Sequence, residues 1–218
     1  MEKREKIEKV LKILEKHFKY KERTTLNRMR RKPNAFKILI SCLLSLRAKD
    51  ENTEKVSKKL FSVASTPREI ASMNIKKLER LIYSSGHYHK KARTLKHVSK
   101  VLLEKFGGKV PNTREELISI KGIGPKTANI VLNFAYGECV IPVDTHCHRV
   151  PNRLGWIKTK TAEKSDIELN KLIPDKFKCE FNALFVLFGK EICTPLSPFC
   201  SRCPAYDYCE RVSVERNR

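Results

Sequence analysis

The sequence predicts an all-α protein, and three observations support this fold class. Apolar residues recur at helical spacing, capping motifs precede several of these stretches, and alternating strand patterns are almost absent. The apolar run from Val140 to Val143 is short and contains Pro142, which disfavours pairing within a sheet. With 218 residues, of which 40% are hydrophobic, the chain is long enough to form a buried core in one large or two small domains.

Helices are predicted one after another along the chain. The first has apolar residues at helical spacing, namely Ile7, Val10, Leu11, Leu14 and Phe18. Thr66, Pro67 and Glu69 are typical of a helix start, because they combine a capping residue, a proline in the first turn and a glutamate three residues after the cap. Thr113 and Glu116 repeat the capping pattern further along.

Glycines mark the expected ends of two further helices. A long helix over residues 92–106 is predicted to stop at Gly107. The apolar stretch Asn182–Phe188 precedes Gly189, which we expect to end that helix as a C-cap.

The net charge of the chain indicates what kind of molecule it binds. The chain carries 46 Lys and Arg against 24 Asp and Glu, a formal charge of +22. Such an excess causes self-repulsion, which binding to a polyanion relieves. Nucleic acid is therefore the expected partner, and a solvated basic surface without a partner is the alternative.

The sequence also indicates where in the cell the protein is expected. No apolar run approaches the roughly 18 residues needed to span a membrane, and the N-terminus lacks the apolar stretch of a signal peptide. We expect a cytoplasmic protein of a prokaryote, with no membrane partner. The absence of glutamine beside abundant Lys and Glu is typical of heat-adapted proteins and suggests a thermophilic source.

Four of the eight cysteines are clustered in the spacing C-x6-C-x2-C-x5-C, at Cys193, Cys200, Cys203 and Cys209. Four thiolates within 17 residues can surround one metal centre. Disulfides are disfavoured, because nothing indicates an oxidising compartment. Zinc and an iron–sulfur cluster both accept four thiolates, so the ligands alone leave both alternatives open.

A glycine-rich turn between two predicted helices is the candidate DNA contact. The helix that begins after Thr113 runs into Gly122-Ile123-Gly124, and Pro125 starts the next helix. Glycines allow the backbone to approach a ligand closely, and N–H groups at a helix start can hold a phosphate. An ordinary tight helical hairpin is the alternative. The residues expected to contact DNA here are Lys121, Gly122, Gly124 and Thr127.

Lys126 and Asp144 are the candidate catalytic residues. Lys126 lies in the first turn of the second hairpin helix, where the helix dipole favours the neutral, nucleophilic amine. Contact with a phosphate is the alternative. Asp144 is in the N-cap position of a predicted helix over residues 145–154, which Gly155 closes. Capping could be its only role, or the carboxylate could also stabilise a developing sugar cation or take a proton.

Together these motifs resemble those of the endonuclease III family of DNA glycosylases, which act in base-excision repair. Residues 122–129 resemble the family's hairpin, with the catalytic lysine at Lys126. Val143-Asp144-Thr145-His146 resembles its catalytic aspartate motif, and the cysteine spacing resembles its [4Fe–4S] signature, which favours that cluster over zinc. The resemblance covers residues 38–209.

The resemblance implies a two-domain helix-hairpin-helix glycosylase fold. A six-helix domain over residues 27–138 would end in the hairpin, and an iron–sulfur domain would combine residues 1–26 with residues 139–218. A DNA groove between the domains would bring Lys126 and Asp144 face to face. A monomer is expected.

The implied activity is that of a bifunctional DNA N-glycosylase and AP lyase for oxidised or saturated pyrimidines. The substrate would be double-stranded DNA with a damaged base, flipped out of the duplex, or an abasic site. Lys126 would attack the sugar C1′ while Asp144 supports the cationic transition state. The resulting Schiff base would permit β-elimination, which cleaves the strand 3′ to the abasic site.

Two further DNA contacts depart from the family pattern. Arg47 lies where bacterial members usually have a glutamine that fills the gap left by the flipped base. His87 lies where the family often has an apolar wedge, and a structural or phosphate-facing role is an equal alternative for it. Residues 194–199, between the first two clustered cysteines, contain no Lys or Arg, so we expect this loop to contribute less to phosphate binding.

Two other functions stay open at this point. A uracil or thymine mismatch glycosylase is suggested by Arg47 and opposed by Lys126. A noncatalytic DNA-binding protein with a redox-sensing cluster would explain the charge, the hairpin and the cysteines, but it leaves Lys126 and Asp144 without a role.

Overall fold

The computed structural model describes residues 2–19, 29 and 33–218, and every regular element in them is helical, which confirms the all-α prediction. The α-helices in chain order are α1 (Lys3–His17), α2 (Ala35–Ser45), α3 (Asp50–Phe61), α4 (Pro67–Ser72), α5 (Ile75–Ile82), α6 (Tyr88–Phe106), α7 (Arg114–Ser119), α8 (Pro125–Tyr136), α9 (Thr145–Arg153), α10 (Ala162–Leu172) and α11 (Asp175–Glu191). Short 3₁₀ turns lie at Tyr83–Ser85, Cys200–Arg202 and Tyr206–Tyr208. None of the described helices is both long and apolar enough to cross a bilayer.

The chain divides into two compact units. The hairpin unit is Arg23–Glu138, and the cysteine unit combines Met1–Glu22 with Cys139–Arg218. The predicted domain boundary between residues 26 and 27 lies outside the described residues.

The hairpin unit is built around α2. Eight of the eleven residues of α2 are buried, because α3, α6 and α8 pack around it. Local capping then sets where its neighbours begin and end. Thr66 and Glu69 form the predicted capping box of α4, and Gly107 ends α6 in the left-handed conformation.

The cysteine unit has an aromatic core. Ile7, Val10, Leu11 and Leu14 are buried on α1, as predicted, and α1 packs against α11. Phe181 and Phe185 of α11 stack with ring centroids 4.0 Å apart.

Gly189 does not end a helix, so the predicted C-cap was wrong. Helix α11 continues through it to Glu191. A Cβ at Gly189 would overlap the His146 ring and would lie 2.9 Å from Arg149 Nη2. The glycine therefore serves close packing between α9 and α11 rather than helix termination.

Candidate DNA-binding and catalytic site

The turn between α7 and α8 requires glycine at position 122. Gly122 has a φ of 104°, and a Cβ there would lie 2.8 Å from Thr94 Cγ2 on α6. Ile120 and Ile123 on either side are buried, and the Ile123 N–H donates to Ile120 O at 3.0 Å. The two isoleucines anchor the turn in the core, while Lys121 between them is exposed.

The N-terminus of α8 is open to an anion. Gly124 is the N-cap and provides no side-chain hydrogen bond, and Pro125 has no N–H. The first N–H groups, those of Lys126 and Thr127, are therefore not satisfied by a capping side chain. Apart from its neighbours in the chain, no described residue lies within 4 Å of a Cβ placed on Gly124, so there is open space at this point of the helix end.

Lys126 and Thr127 point in different directions from this helix end. Lys126 is exposed. Thr127 is only 4% exposed, and its hydroxyl accepts a weak hydrogen bond from the Cys42 thiol of α2 at 3.6 Å. The Thr127 side chain thus holds α8 against α2, and only its backbone N–H is left as a candidate DNA contact.

Asp144 caps α9, as predicted. Its Oδ1 accepts hydrogen bonds from the N–H groups of His146 and Cys147, each at 2.9 Å, while its other carboxylate oxygen takes no part in these two bonds. The residue is half-buried. Burial, and then the neighbouring Asp144 charge, raise the pKa of the buried Cys147 thiol well above its ordinary value, so this thiol stays protonated beside the carboxylate.

Two arginines one turn apart connect α9 to the first clustered cysteine. Arg149 Nη2 donates to Gly189 O at 3.0 Å and to Cys193 O at 2.9 Å. Arg153 Nη1 donates to Thr194 O at 2.7 Å and contacts Cys193 Sγ at 3.5 Å. The helix that Asp144 caps is therefore fixed to the cysteine loop at its middle and at its end. No sequence motif singles out either arginine.

The four clustered cysteines line one cavity, whose remaining walls are largely apolar. None of the four forms a disulfide. Burial raises the pKa of the Cys203 thiol to about 11, and it also raises the pKa of Cys200 and of Cys209. At neutral pH such thiols hold their protons, so binding of a metal centre would release them.

The four cysteines supply the donor set of a metal centre. As their side chains stand, no group of three or more His, Cys, Asp or Glu within the described residues is arranged so that it could hold a metal ion. Four thiolates around one cavity are nevertheless the ligands that tetrahedral zinc takes at about 2.3 Å, and they are also the ligands that hold an iron–sulfur cluster.

The loop over residues 194–199, which contains no basic residue, receives cations from elsewhere in the cysteine unit. The guanidinium of Arg218 stacks on the Phe199 ring at 4.0 Å, and that of Arg202 lies over it at 4.1 Å. Arg218 Nη2 also donates to Ser197 O at 3.0 Å. The sequence pattern gave no signal for Arg218, which lies 19 residues beyond Phe199.

The structure groups the predicted site residues by unit. Lys121, Gly122, Gly124, Lys126 and Thr127 share one turn of the hairpin unit, which also contains Arg47 and His87 in two other turns. Both of these side chains are exposed. Asp144 and the four clustered cysteines belong to the cysteine unit.

Comparison with known proteins first defines the class. Residues 40–175 match the family described as HhH-GPD superfamily base excision DNA repair protein. This range contains the α7–α8 hairpin and the Asp144 cap, so the class is defined by the segment that carries both candidate catalytic residues.

More specific matches lie within that class. Endonuclease III of Thermotoga maritima is 45% identical over 183 residues, which cover 84% of this chain and 86% of that protein. The structure of a trapped endonuclease III–DNA covalent intermediate matches with a TM-score of 0.86 at 32% identity and covers 97% of each chain. A thermostable thymine-DNA glycosylase matches with a TM-score of 0.85, but at 22% identity this shows the fold alone.

The chain belongs to the endonuclease III family of helix-hairpin-helix base-excision repair proteins. This membership confirms the predicted family, its fold and its enzyme class, a DNA glycosylase and AP lyase.

Proposed function

We propose that this enzyme excises damaged pyrimidines from duplex DNA and cleaves the strand 3′ to the abasic site, with Lys126 as the nucleophile. The observation that carries the proposal is the N-terminus of α8. The exposed Lys126 lies there, in the same turn as N–H groups that no side chain caps. Such a helix end binds a phosphate, so a backbone held there would present its sugar to the amine.

The reaction needs the neutral amine of Lys126. It attacks C1′ of the damaged nucleotide, a bond forms between Nζ and C1′, and the glycosidic bond breaks as the base leaves with the electron pair. The sugar opens to a Schiff base at C1′. Loss of a proton from C2′ then breaks the bond between C3′ and the 3′ phosphate oxygen, which cleaves the strand.

Asp144 supports this reaction as an anion of fixed orientation. Its Oδ1 accepts two backbone N–H bonds, which hold the carboxylate in place. An ionised carboxylate stabilises the positive charge that develops on the sugar as the base departs.

The remaining contacts recognise DNA. The backbone at Gly122, Gly124 and Thr127 binds phosphate, and Lys121 adds an exposed cation in the same turn. Arg47 and His87 occupy the duplex when the damaged base is flipped out. The protein acts as a monomer.

Cys193, Cys200, Cys203 and Cys209 would hold a [4Fe–4S] cluster. The cluster would supply four iron–thiolate bonds that join the end of α11 to the C-terminal turns. Through Arg149 and Arg153, the segment at Cys193 and Thr194 that follows α11 also holds the helix that Asp144 caps.

Borohydride trapping tests the proposal directly, because reduction of the Schiff base gives a stable covalent adduct. DNA with thymine glycol should form an adduct with the wild-type protein and none with Lys126→Gln. Lys76→Gln is a matched control, since Lys76 is also an exposed second residue of a helix in the hairpin unit, but Asn74 caps that helix. An adduct that persists in Lys126→Gln would contradict the assignment.

The same assay separates the other functions. Base release without an adduct would indicate a mismatch-type glycosylase. If neither base release nor an adduct is observed, the result would favour a noncatalytic DNA-binding protein. Binding should weaken steeply with salt, each neutralised phosphate adding about 0.9 to the log–log slope. A flat response would contradict the role assigned to the +22 charge.

A further inference from the structure

Arg47 and His87 share an unusual backbone conformation. Their φ angles are 55° and 48°, and they are two of the four non-glycine residues with positive φ in the described part of the chain. The left-handed region is unfavourable for residues with a Cβ. Contacts from neighbouring elements therefore have to hold the two turns in this conformation.

One buried cation contacts both turns. Lys91 of α6 is 7% exposed, and its Nζ donates to Leu44 O and to Ser85 O, each at 2.7 Å. Leu44 precedes Arg47 by three residues, and Ser85 precedes His87 by two. The Lys91 ammonium thus cross-links the chain segments that lead into the two turns.

The end of α2 leaves a carbonyl for this cation. Leu44 O lies in the last turn of α2, where a continued helix would place the N–H of Ala48 against it. Instead, the Ala48 N–H donates to Ser45 O at 3.0 Å, so the chain turns away at Arg47. Lys91 fills the vacated position at Leu44 O.

A second contact joins the same two regions. Asn52, on α3 after the Arg47 turn, donates from Nδ2 to Ser84 O. The segments before and after Arg47 are therefore both attached to the 3₁₀ turn that precedes His87. This geometry fixes the spacing of the two turns independently of DNA.

We propose that Lys91 is a positioning residue that holds the Arg47 and His87 turns together, so that both side chains enter the duplex as one preformed unit when the base is flipped. This inference rests on the DNA-inserting roles proposed above for those two residues. Lys91 itself touches no DNA. It removes the need to order two strained turns during base flipping, which would otherwise slow that step.

The test compares two substrates on the folded protein. In Lys91→Met, single-turnover excision of thymine glycol should fall roughly 10- to 100-fold relative to wild type, as expected when inserted groups lose their alignment. Cleavage of a preformed abasic site should fall much less, because no damaged base has to be unstacked. The ratio of the two rates should therefore change, whereas a loss of folded protein would lower both rates equally.

Lys96→Met is the matched control, because Lys96 is also on α6 and its Nζ donates to a loop carbonyl, that of Met73. Its rate ratio should equal that of wild type. Amide hydrogen exchange on DNA-free protein should be faster at Ala48 and His87 in Lys91→Met, and unchanged in Lys96→Met. An unchanged ratio together with unchanged exchange in folded Lys91→Met would overturn the inference.

Two further outcomes are read separately. Lys91→Met could fail to fold, and Asn52→Ala then replaces it. This variant removes the second contact at a half-buried position and should shift the ratio of the two rates in the same direction. An unshifted ratio would count against the inference.

Wild-type protein that releases no base would overturn the proposed function, and with it this inference. Wild-type excision with an unchanged variant ratio would overturn this inference alone.

Discussion

The two candidate catalytic residues lie at helix N-termini that are built in opposite ways. At α9, the Asp144 carboxylate accepts the first N–H groups, so the positive end of the helix is already satisfied by an anion of the protein. At α8, Gly124 offers no side chain and Pro125 no N–H, so that end is left for an anion from outside.

This difference shows how one local feature can serve two purposes. The capped end fixes a negative charge for use in a reaction that develops positive charge. The open end binds a phosphate and carries the amine that reacts with the attached sugar. Removing the cap of α9 and filling the open end of α8 should therefore impair function in different ways.

The largest effect is expected at the capped end. Asp144→Asn keeps an oxygen that can accept the His146 and Cys147 N–H bonds, so its unfolding temperature should stay close to that of wild type. It removes the negative charge, so excision should slow by about 10²- to 10⁴-fold in single-turnover assays. Asp144→Ala should lose this activity and also about 1 kcal/mol of stability through loss of the cap.

Thr161→Ala is the control for this prediction. Thr161 caps α10 in the same unit and accepts from the Lys164 N–H at 3.3 Å, so its removal should reduce stability by a similar amount without slowing excision. Wild-type excision by Asp144→Asn would mean that Asp144 is only a cap.

Alanine substitutions of the two glycines at the open end should have different effects, one on stability and the other on DNA affinity. Gly122→Ala should destabilise the hairpin unit by about 1–3 kcal/mol, because alanine is strained at φ 104° and its Cβ meets Thr94. Gly124→Ala meets no described atom, so thermal unfolding should be unchanged. Its methyl group would occupy the space proposed for phosphate, so DNA affinity should fall about tenfold.

Thermal unfolding and DNA titration at one fixed salt concentration separate these two variants. If Gly124→Ala binds DNA as tightly as wild type, the phosphate does not approach α8 at this point, and the contrast between the two helix ends would lose its basis.

The sequence predicted what local chemistry decides. The Thr66 capping box, the stop at Gly107 and the Asp144 cap each depend on residues within a few positions, so their patterns are readable without the fold. The start of α8 at Pro125 is of the same kind.

Contacts between distant residues could not be predicted in this way. Gly189 follows an apolar stretch, and this local pattern predicted a helix end. The His146 ring that packs on Gly189 lies 43 residues earlier in the chain, so the local pattern does not contain this contact. Lys91 was one cation among many in a basic segment, and only the fold shows that it is buried against two carbonyls. A backbone carbonyl is present at every residue, so hydrogen bonds to carbonyls leave no sequence signature.

The smallest effect is expected at a third N-terminus, that of α4, which tests whether capping without catalysis influences activity. Glu69 accepts N–H bonds from Ser65 and Thr66 at 2.8 and 2.9 Å, and these bonds, with the Thr66 hydroxyl, lower the pKa of its carboxyl from the ordinary 4.5. A lowered pKa in the folded state means that the contribution of the Glu69 carboxylate to stability is complete above pH 4.5 and is lost as the pH falls through the lowered value.

Glu69→Gln should therefore have a slightly lower unfolding temperature than wild type at pH 7, and the difference should shrink on acidification. Glu168→Gln, an exposed change of the same charge on α10, is the control for the loss of charge, and both variants should excise thymine glycol at the wild-type rate. A slowed Glu69→Gln enzyme would show that caps remote from the reacting residues also matter, and the contrast between α8 and α9 would then not be specific to them.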